Sequence, residues 1–146
     1  MSATNAFETA LLNLIILNID AANVGDAAGL QNSAAAGVFW ISLHTASPGE
    51  TGSQTTNETA YTNYARQDEA RTASQWTVTG NTADNDNAIG FPTGGASGAT
   101  LTDFGLGSDT SGTGNLFLFG ALTASLAVSS GITPSFAAGA LDITLD

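Results

Sequence analysis

Helical periodicity occurs in a single stretch of this chain. In "NAFETALLNLIILNI", Asn5 to Ile19, the residues Leu11, Leu12, Ile15, Ile16 and Ile19 recur at three- and four-residue spacing. From Val38 onward the apolar residues come in short runs, separated by Gly, Asn, Ser and Thr clusters. A two-residue period places alternate side chains on opposite faces of a strand. The expected fold is therefore mainly β: an antiparallel β-sandwich, jelly-roll-like, preceded by one α-helix between about residues 5 and 20.

Asn5 followed by Glu8 fits a capping-box start for that helix. Leu14 and Leu17 widen its apolar stripe, so burial on most sides is expected. Ala21 to Gly37 holds no sustained period and reads as a loop or extended arm. The expected division is residues 1–37 as helix and docking arm, and residues 38–146 as the β-sandwich domain.

Within the β region, "VFWISLH" (Val38 to His44) is apolar on both faces and reads as a central strand. Strands are also expected in "YARQDEAR", "QWTVT", "NAIGFP", "TLTDFGLGS" and "NLFLFGAL". "ALDITLD" alternates: Leu141, Ile143 and Leu145 should face inward, and Asp142, Thr144 and Asp146 outward.

Charge removes whole classes of partner. Thirteen Asp and Glu stand against Arg66 and Arg71, with no lysine, for a formal net charge of −11. Nucleic-acid affinity rests on Lys and Arg displacing counterions from phosphates, and anionic bilayers attract basic segments. Neither nucleic acid nor membrane is an expected partner. The two arginines are expected to neutralise acidic neighbours, within the fold or across a subunit contact. The apolar run Ala10 to Ile19 is about half of the ~20 residues a spanning helix needs, and Met1 to Thr9 contains no positive charge. A soluble, unprocessed chain is expected.

Candidate chemistry is sparse. The chain has no cysteine and one histidine, His44, for which Ser42, Ser47 and Glu50 are the available partners. No G-x-S-x-G elbow singles out a nucleophile, so a strand-end histidine bonded to local backbone is the expectation. "DNDN", Asp84 to Asn87, starts like a calcium loop but lacks the Gly and Glu at the sixth and twelfth positions, and reads as Asx-turn residues before a strand. "GFPTGGASG" lacks the Lys-Ser/Thr of a phosphate loop. Tyr61 and Tyr64 could form a sugar platform, but edge-packed rings with hydroxyls in water are the expectation. No catalytic, cofactor-binding or metal-ligating residue is assigned, and no cofactor is expected.

"LHTASPGE" (Leu43 to Glu50), "YTNYARQ" (Tyr61 to Gln67), "NTAD" (Asn81 to Asp84), "FP" (Phe91, Pro92) and the segment from Asp103 to Asp146 resemble small virion structural proteins of tailed bacteriophages, commonly labelled tail fibre or structural proteins. The resemblance spans most of residues 38–146 in the same order; residues 5–37 match only in character. It implies a β-sandwich without known enzymatic activity. "PGE" then reads as a turn, and Ser53 to Asn63 as a long exposed loop.

The expected function is a non-enzymatic structural subunit of a phage virion, in the first place a capsid cement or decoration protein on the head lattice. The alternatives are a tail or tail-fibre component, or a carbohydrate- or receptor-binding module using the loops Thr45 to Asn63 and Gly94 to Ala99. Expected partners are other virion proteins, either the major capsid protein or tail proteins, and copies of the chain itself. The receptor-binding alternative adds a host surface glycan. Assembly would take place in the bacterial host cytoplasm.

Overall fold

The computed structural model describes residues 2–145. It contains one helix, α1 (Asn5–Leu17), and nine strands: β1 (Val38–His44), β2 (Gln67–Ala70), β3 (Trp76–Thr79), β4 (Thr82–Asn85), β5 (Ile89–Gly90), β6 (Ala99–Gly107), β7 (Leu116–Val128), β8 (Ser135–Phe136) and β9 (Asp142–Thr144). With 35% strand against 9% helix, the protein is mainly β with antiparallel sheets and one N-terminal helix, as its periodicity predicts. Two compact units divide the chain. One takes residues 1–37, 70–88 and 136–146, and the other residues 38–69 and 89–135.

In the first unit α1 packs on the hairpin β3–β4, and β9 extends that hairpin into a three-stranded sheet of order β3-β4-β9. The N-cap of α1 is Thr4, with no side-chain cap bond. That places Glu8 one residue beyond the position a capping box requires, so the expected box does not form. Burial is also narrower than the composition suggests: Glu8, Leu12 and Ile16 make one i, i+4, i+8 stripe, while Phe7 and Ile15 are exposed. Asn18 ends the helix in the left-handed region (φ 56°), where its short polar side chain is tolerated. Arg71 then donates to the carbonyls of Leu14 (2.7 Å), Ile15 (2.5 Å) and Ala36 (3.1 Å). Its cation sits at the negative end of the helix and satisfies carbonyls the helix leaves free.

β4 was not expected as a strand. Its signal is the pair Gly80-Asn81 between two alternating runs, a two-residue hairpin connection with Gly80 at φ +62°. The Asp84 to Asn87 run is therefore the end of β4, Asp84 and Asn85, followed by a bend at Asp86 and Asn87 that precedes β5, so the turn before a strand covers only its second half. Asn85 is buried and fully used: Oδ1 accepts the N–H groups of Ala140 (3.1 Å) and Leu141 (2.8 Å), and Nδ2 donates to the carbonyls of Asn87 and Ala137. This one amide fixes where the C-terminal segment enters the sheet. β9 has the expected register, with Leu141 and Ile143 buried and Asp142 and Thr144 exposed; Asp146 lies outside the described residues.

The second unit is built on a four-stranded sheet of order β2-β1-β6-β7, with β1 central as expected. β1 and β6 are antiparallel, pairing Trp40 with Gly107, Ser42 with Gly105 and His44 with Asp103. Phe39, Ile41 and Leu43 fill one face of β1 and are all buried. The opposite face starts apolar and open, with Val38 exposed and Trp40 half-buried, and ends polar and closed, with Ser42 and His44 fully enclosed. Glycine at 105 and 107 leaves room for this, since a Cβ at Gly105 would collide with Leu116 and crowd Ser42 and His44, and one at Gly107 would collide with Gln54.

Ile143 and Asp142 test the C-terminal register. Ile143→Asp removes a buried side chain and encloses a carboxylate, and is expected to lower stability by about 3 kcal/mol or more. Asp142 lies directly opposite Asp84 across β4–β9. Asp142 and burial push the Asp84 carboxyl above its usual range. Raised in the native state, this group favours folding only where it is protonated, and that contribution is lost as pH rises through its native pKa. Asp142→Asn should therefore stabilise the protein at neutral pH by up to about 1 kcal/mol, with the gain disappearing in acid. Thermal melts of both variants at neutral and acidic pH check this.

Candidate functional site

The segments singled out by resemblance, Leu43 to Glu50 and Tyr61 to Gln67, meet in the second unit. After β1 the chain turns at Pro48-Gly49, where Gly49 has φ +70°, and returns so that Thr45 N–H bonds Asn57 O (2.9 Å) and Thr59 N–H bonds Leu43 O (2.9 Å). Ser53 to Asn63 is thus a folded-back strap, and the exposed loop expected holds only for part of it: Thr55, Asn57, Ala60, Thr62 and Asn63 are exposed. Gln54, Thr59 and Tyr61 along it are buried. Gln54 works like a short stretch of backbone, its Oε1 accepting Asp109 N–H (2.9 Å) and its Nε2 donating to Asp109 O (3.3 Å).

The strap delivers Glu58 to Arg66, with Nε to Oε1 at 2.7 Å and Nη2 to Oε2 at 2.8 Å, a bidentate fork on side chains 2% and 15% exposed. The remaining reach of Arg66 goes to the carbonyls of Asp109 (2.7 Å) and Gly112 (2.8 Å). Tyr64 completes the cluster by donating its hydroxyl to Glu58 Oε1 (2.9 Å) and accepting Leu43 N–H (3.0 Å). Burial and the neighbouring Glu58 carboxylate raise the Tyr64 phenol far above its usual range, and its bond from Leu43 N–H only partly opposes them. The hydrogen bonding that Arg66 donates to Glu58 raises its pKa above an already high value. Arg66 therefore neutralises an acidic neighbour inside the fold, as expected.

A cleft of about 470 Å³ opens beside this cluster, lined by Glu58, Tyr61, Asn63, Tyr64, Arg66 and Ser111 among others. Its aromatic rings are not a platform. Tyr61 is 2% exposed and packs edge-on against Tyr64 (centroids 5.4 Å, 63°), and both hydroxyls are bonded, that of Tyr61 to Pro92 O at 2.9 Å. The expectation of hydroxyls in water is corrected: each hydroxyl donates to a part-buried protein acceptor, Pro92 O for Tyr61 and Glu58 Oε1 for Tyr64. Four N–H groups of Arg66 are already engaged by Glu58 and two carbonyls, so the geometry makes a clasp between the strap, the start of β2 and the loop after β6.

His44 shows the same inward economy. Its Nδ1 faces Thr56 O at 2.9 Å, and because a carbonyl can only accept, Nδ1 carries the proton and Nε2 accepts from Ser42 Oγ at 2.8 Å. Both side chains are fully buried, so this serine–histidine pair meets no solvent or substrate. Neither of the other partners weighed joins it: Ser47 Oγ accepts Gly49 N–H within the turn, and Glu50 is exposed. Burial pushes the imidazole below its usual value, outweighing the bond to Thr56 and the carboxylates of Glu58 and Asp103. The two loops proposed for glycan contact do meet, through Thr62 and Ser97 (Oγ1 to Oγ 2.6 Å; Ser97 N–H to Thr62 Oγ1 3.0 Å), but these hydroxyls bond each other. Among the described residues no group of three or more His, Asp or Glu could hold a metal ion, and no helix is long and apolar enough to cross a membrane.

Two measurements probe the clasp. Glu58→Ala leaves a buried, unpaired guanidinium and should cost about 3–5 kcal/mol in chemical denaturation. Arg66→Lys keeps the charge but loses the fork and should also destabilise. For His44, a native pKa below the unfolded value means stability is complete above pH ~6.5 and falls as pH drops toward the native pKa, by up to about 1.4 kcal/mol per pH unit. NMR titration of the imidazole, and loss of that pH slope in His44→Gln, check the sign.

No curated protein matches the chain. The family model described as Podophage GP4 fiber I protein gp80 matches residues 2–144, which includes the helix, the strap with its Glu58–Arg66 clasp, and the strands of both units. The chain belongs to this family of phage fibre proteins and is a small structural protein of a tailed-phage virion.

Proposed function

We propose that the chain is a non-enzymatic subunit of a phage tail fibre, associating there with other tail proteins. The observation that carries this reading is the fibre-family match across residues 2–144. It favours the tail-fibre alternative over the head-cement role, for which the family offers no support. The geometry agrees with a structural role: the one histidine is sealed, Arg66 is clasped to Glu58, and the Tyr64 hydroxyl bonds the same carboxylate. A host glycan finds no stacking platform, because Tyr61 and Tyr64 turn inward.

Labelling intact virions with gold-conjugated antibody against the chain, together with its copy number by quantitative mass spectrometry, tests the placement. Label on tail-attached appendages with low copy number is expected. Label distributed over the head at a copy number matching the capsid lattice would reverse the choice in favour of cement.

A further inference from the structure

Two stripes of side chains run side by side along α1, and the chain covers one of them. Glu8, Leu12 and Ile16 are buried on the side that meets the β3–β4 hairpin. Phe7, Leu11, Leu14 and Ile15, at positions i, i+4, i+7 and i+8, form the neighbouring stripe, with Phe7 41% and Ile15 38% exposed and the two leucines half-buried. None of the four is charged. Ile19 and Leu30 leave two more apolar side chains open near the C-terminal end of the helix, 48% and 42% exposed. Single exposed apolar residues are ordinary, but a set at this spacing is the pattern by which a helix seats in an apolar groove.

The element that carries the stripe is held in one shape. Asn18 bonds Ser33 twice, donating Nδ2 to its carbonyl and accepting its N–H on Oδ1 (both 2.9 Å), and Asn32 Nδ2 donates to Asn18 O (2.9 Å). Ala21 and Leu30 exchange both backbone bonds at 3.0 Å. The arm is therefore folded back to the end of α1, so a partner meeting the stripe has little left to order.

Charge then selects the partner. No Lys or Arg precedes Arg66, while Asp20 and Asp26 are exposed just beyond the C-terminal end of the stripe. Arg71, which reaches the same end of the helix, is committed to the carbonyls of Leu14, Ile15 and Ala36. A second copy has no lysine, and its two arginines are already bonded, so it offers these carboxylates no counter-charge. We propose that the outer stripe of α1 docks in an apolar groove on another virion protein, whose rim supplies Lys or Arg to Asp20 and Asp26. Docking of this kind presupposes the virion and not the tail: antibody label on the appendages would stand whichever face of the chain docks.

Phe7→Glu separates docking from folding, because residue 7 is the third helical position after the Thr4 N-cap and a glutamate there completes a capping box. The purified variant should keep the wild-type far-UV circular dichroism and melting temperature, while its copy number in virions with no other source of the chain falls about tenfold or more. Asp20→Asn combined with Asp26→Asn keeps the side-chain oxygens that accept the Asn32, Ala28 and Gly29 N–H groups and removes only charge. Copies per virion should then fall about threefold or more. Replacing Ile15 by the photo-crosslinking amino acid benzoylphenylalanine and irradiating intact virions identifies what lies on the stripe; the expected cross-link joins a different virion protein, in an apolar stretch flanked by Lys or Arg. A cross-link to a second copy or to a segment without Lys or Arg, no cross-link in virions that carry the variant, or wild-type copy number for a folded Phe7→Glu or for the neutralised pair would each overturn the proposal.

Discussion

The bidentate contact between Glu58 and Arg66 is the interaction on which the second unit depends. Arg66 stands just before β2, Glu58 sits on the strap that returns to the end of β1, and the guanidinium also reaches the carbonyls of Asp109 and Gly112 beyond β6. One planar cation thus ties three separate stretches of chain. A buried charge of this kind is costly unless every donor is matched. Here the fork and two carbonyls engage four of the guanidinium's N–H groups, and the Tyr64 hydroxyl donates to the carboxylate, so the clasp specifies one arrangement of the strap by making the alternatives leave charge unpaired.

The same logic extends across the polar face of the sheet. Ser42, His44 and Gln54 are fully buried where an ordinary sheet would place aliphatic side chains, and each reaches backbone or a neighbouring side chain. Gly105 and Gly107 open the space for them. A layer of satisfied hydrogen bonds is directional in a way that apolar packing is not. It suits a scaffold whose loops stay in one conformation, and the serine and histidine 2.8 Å apart belong to that layer, both side chains fully buried.

In the first unit, single polar side chains perform comparable joining tasks. Asn85 receives the C-terminal segment and Arg71 closes the end of α1, while Leu12 and Ile16 are covered by the chain's own hairpin. Of the two arginines in this acidic chain, Arg66 is buried in its clasp and Arg71 is half-buried against the end of α1. Against that background the uncharged stretch from Thr110 to Leu141 stands apart, and it is where the sheet leaves its long edge open.

The sequence by itself determined the class of fold, the single helix, the central position of Val38 to His44 and the inward faces of Leu141 and Ile143. Each of these follows from periodicity or residue type over a few positions, and a local period survives whatever the rest of the chain does. The tertiary structure alone decided that Ser53 to Asn63 folds inward, that Glu58 rather than another carboxylate meets Arg66, that the tyrosine hydroxyls are enclosed, and that Asn85 anchors residues 140 and 141. Those pairings join positions up to 56 apart in the chain, and many carboxylates and amides compete for each partner. Whether "NLFLFGAL" lay in the core or at a border was equally beyond local pattern. Its residues are apolar on both faces, and strand order, set by hydrogen bonding between distant segments, placed them at the edge.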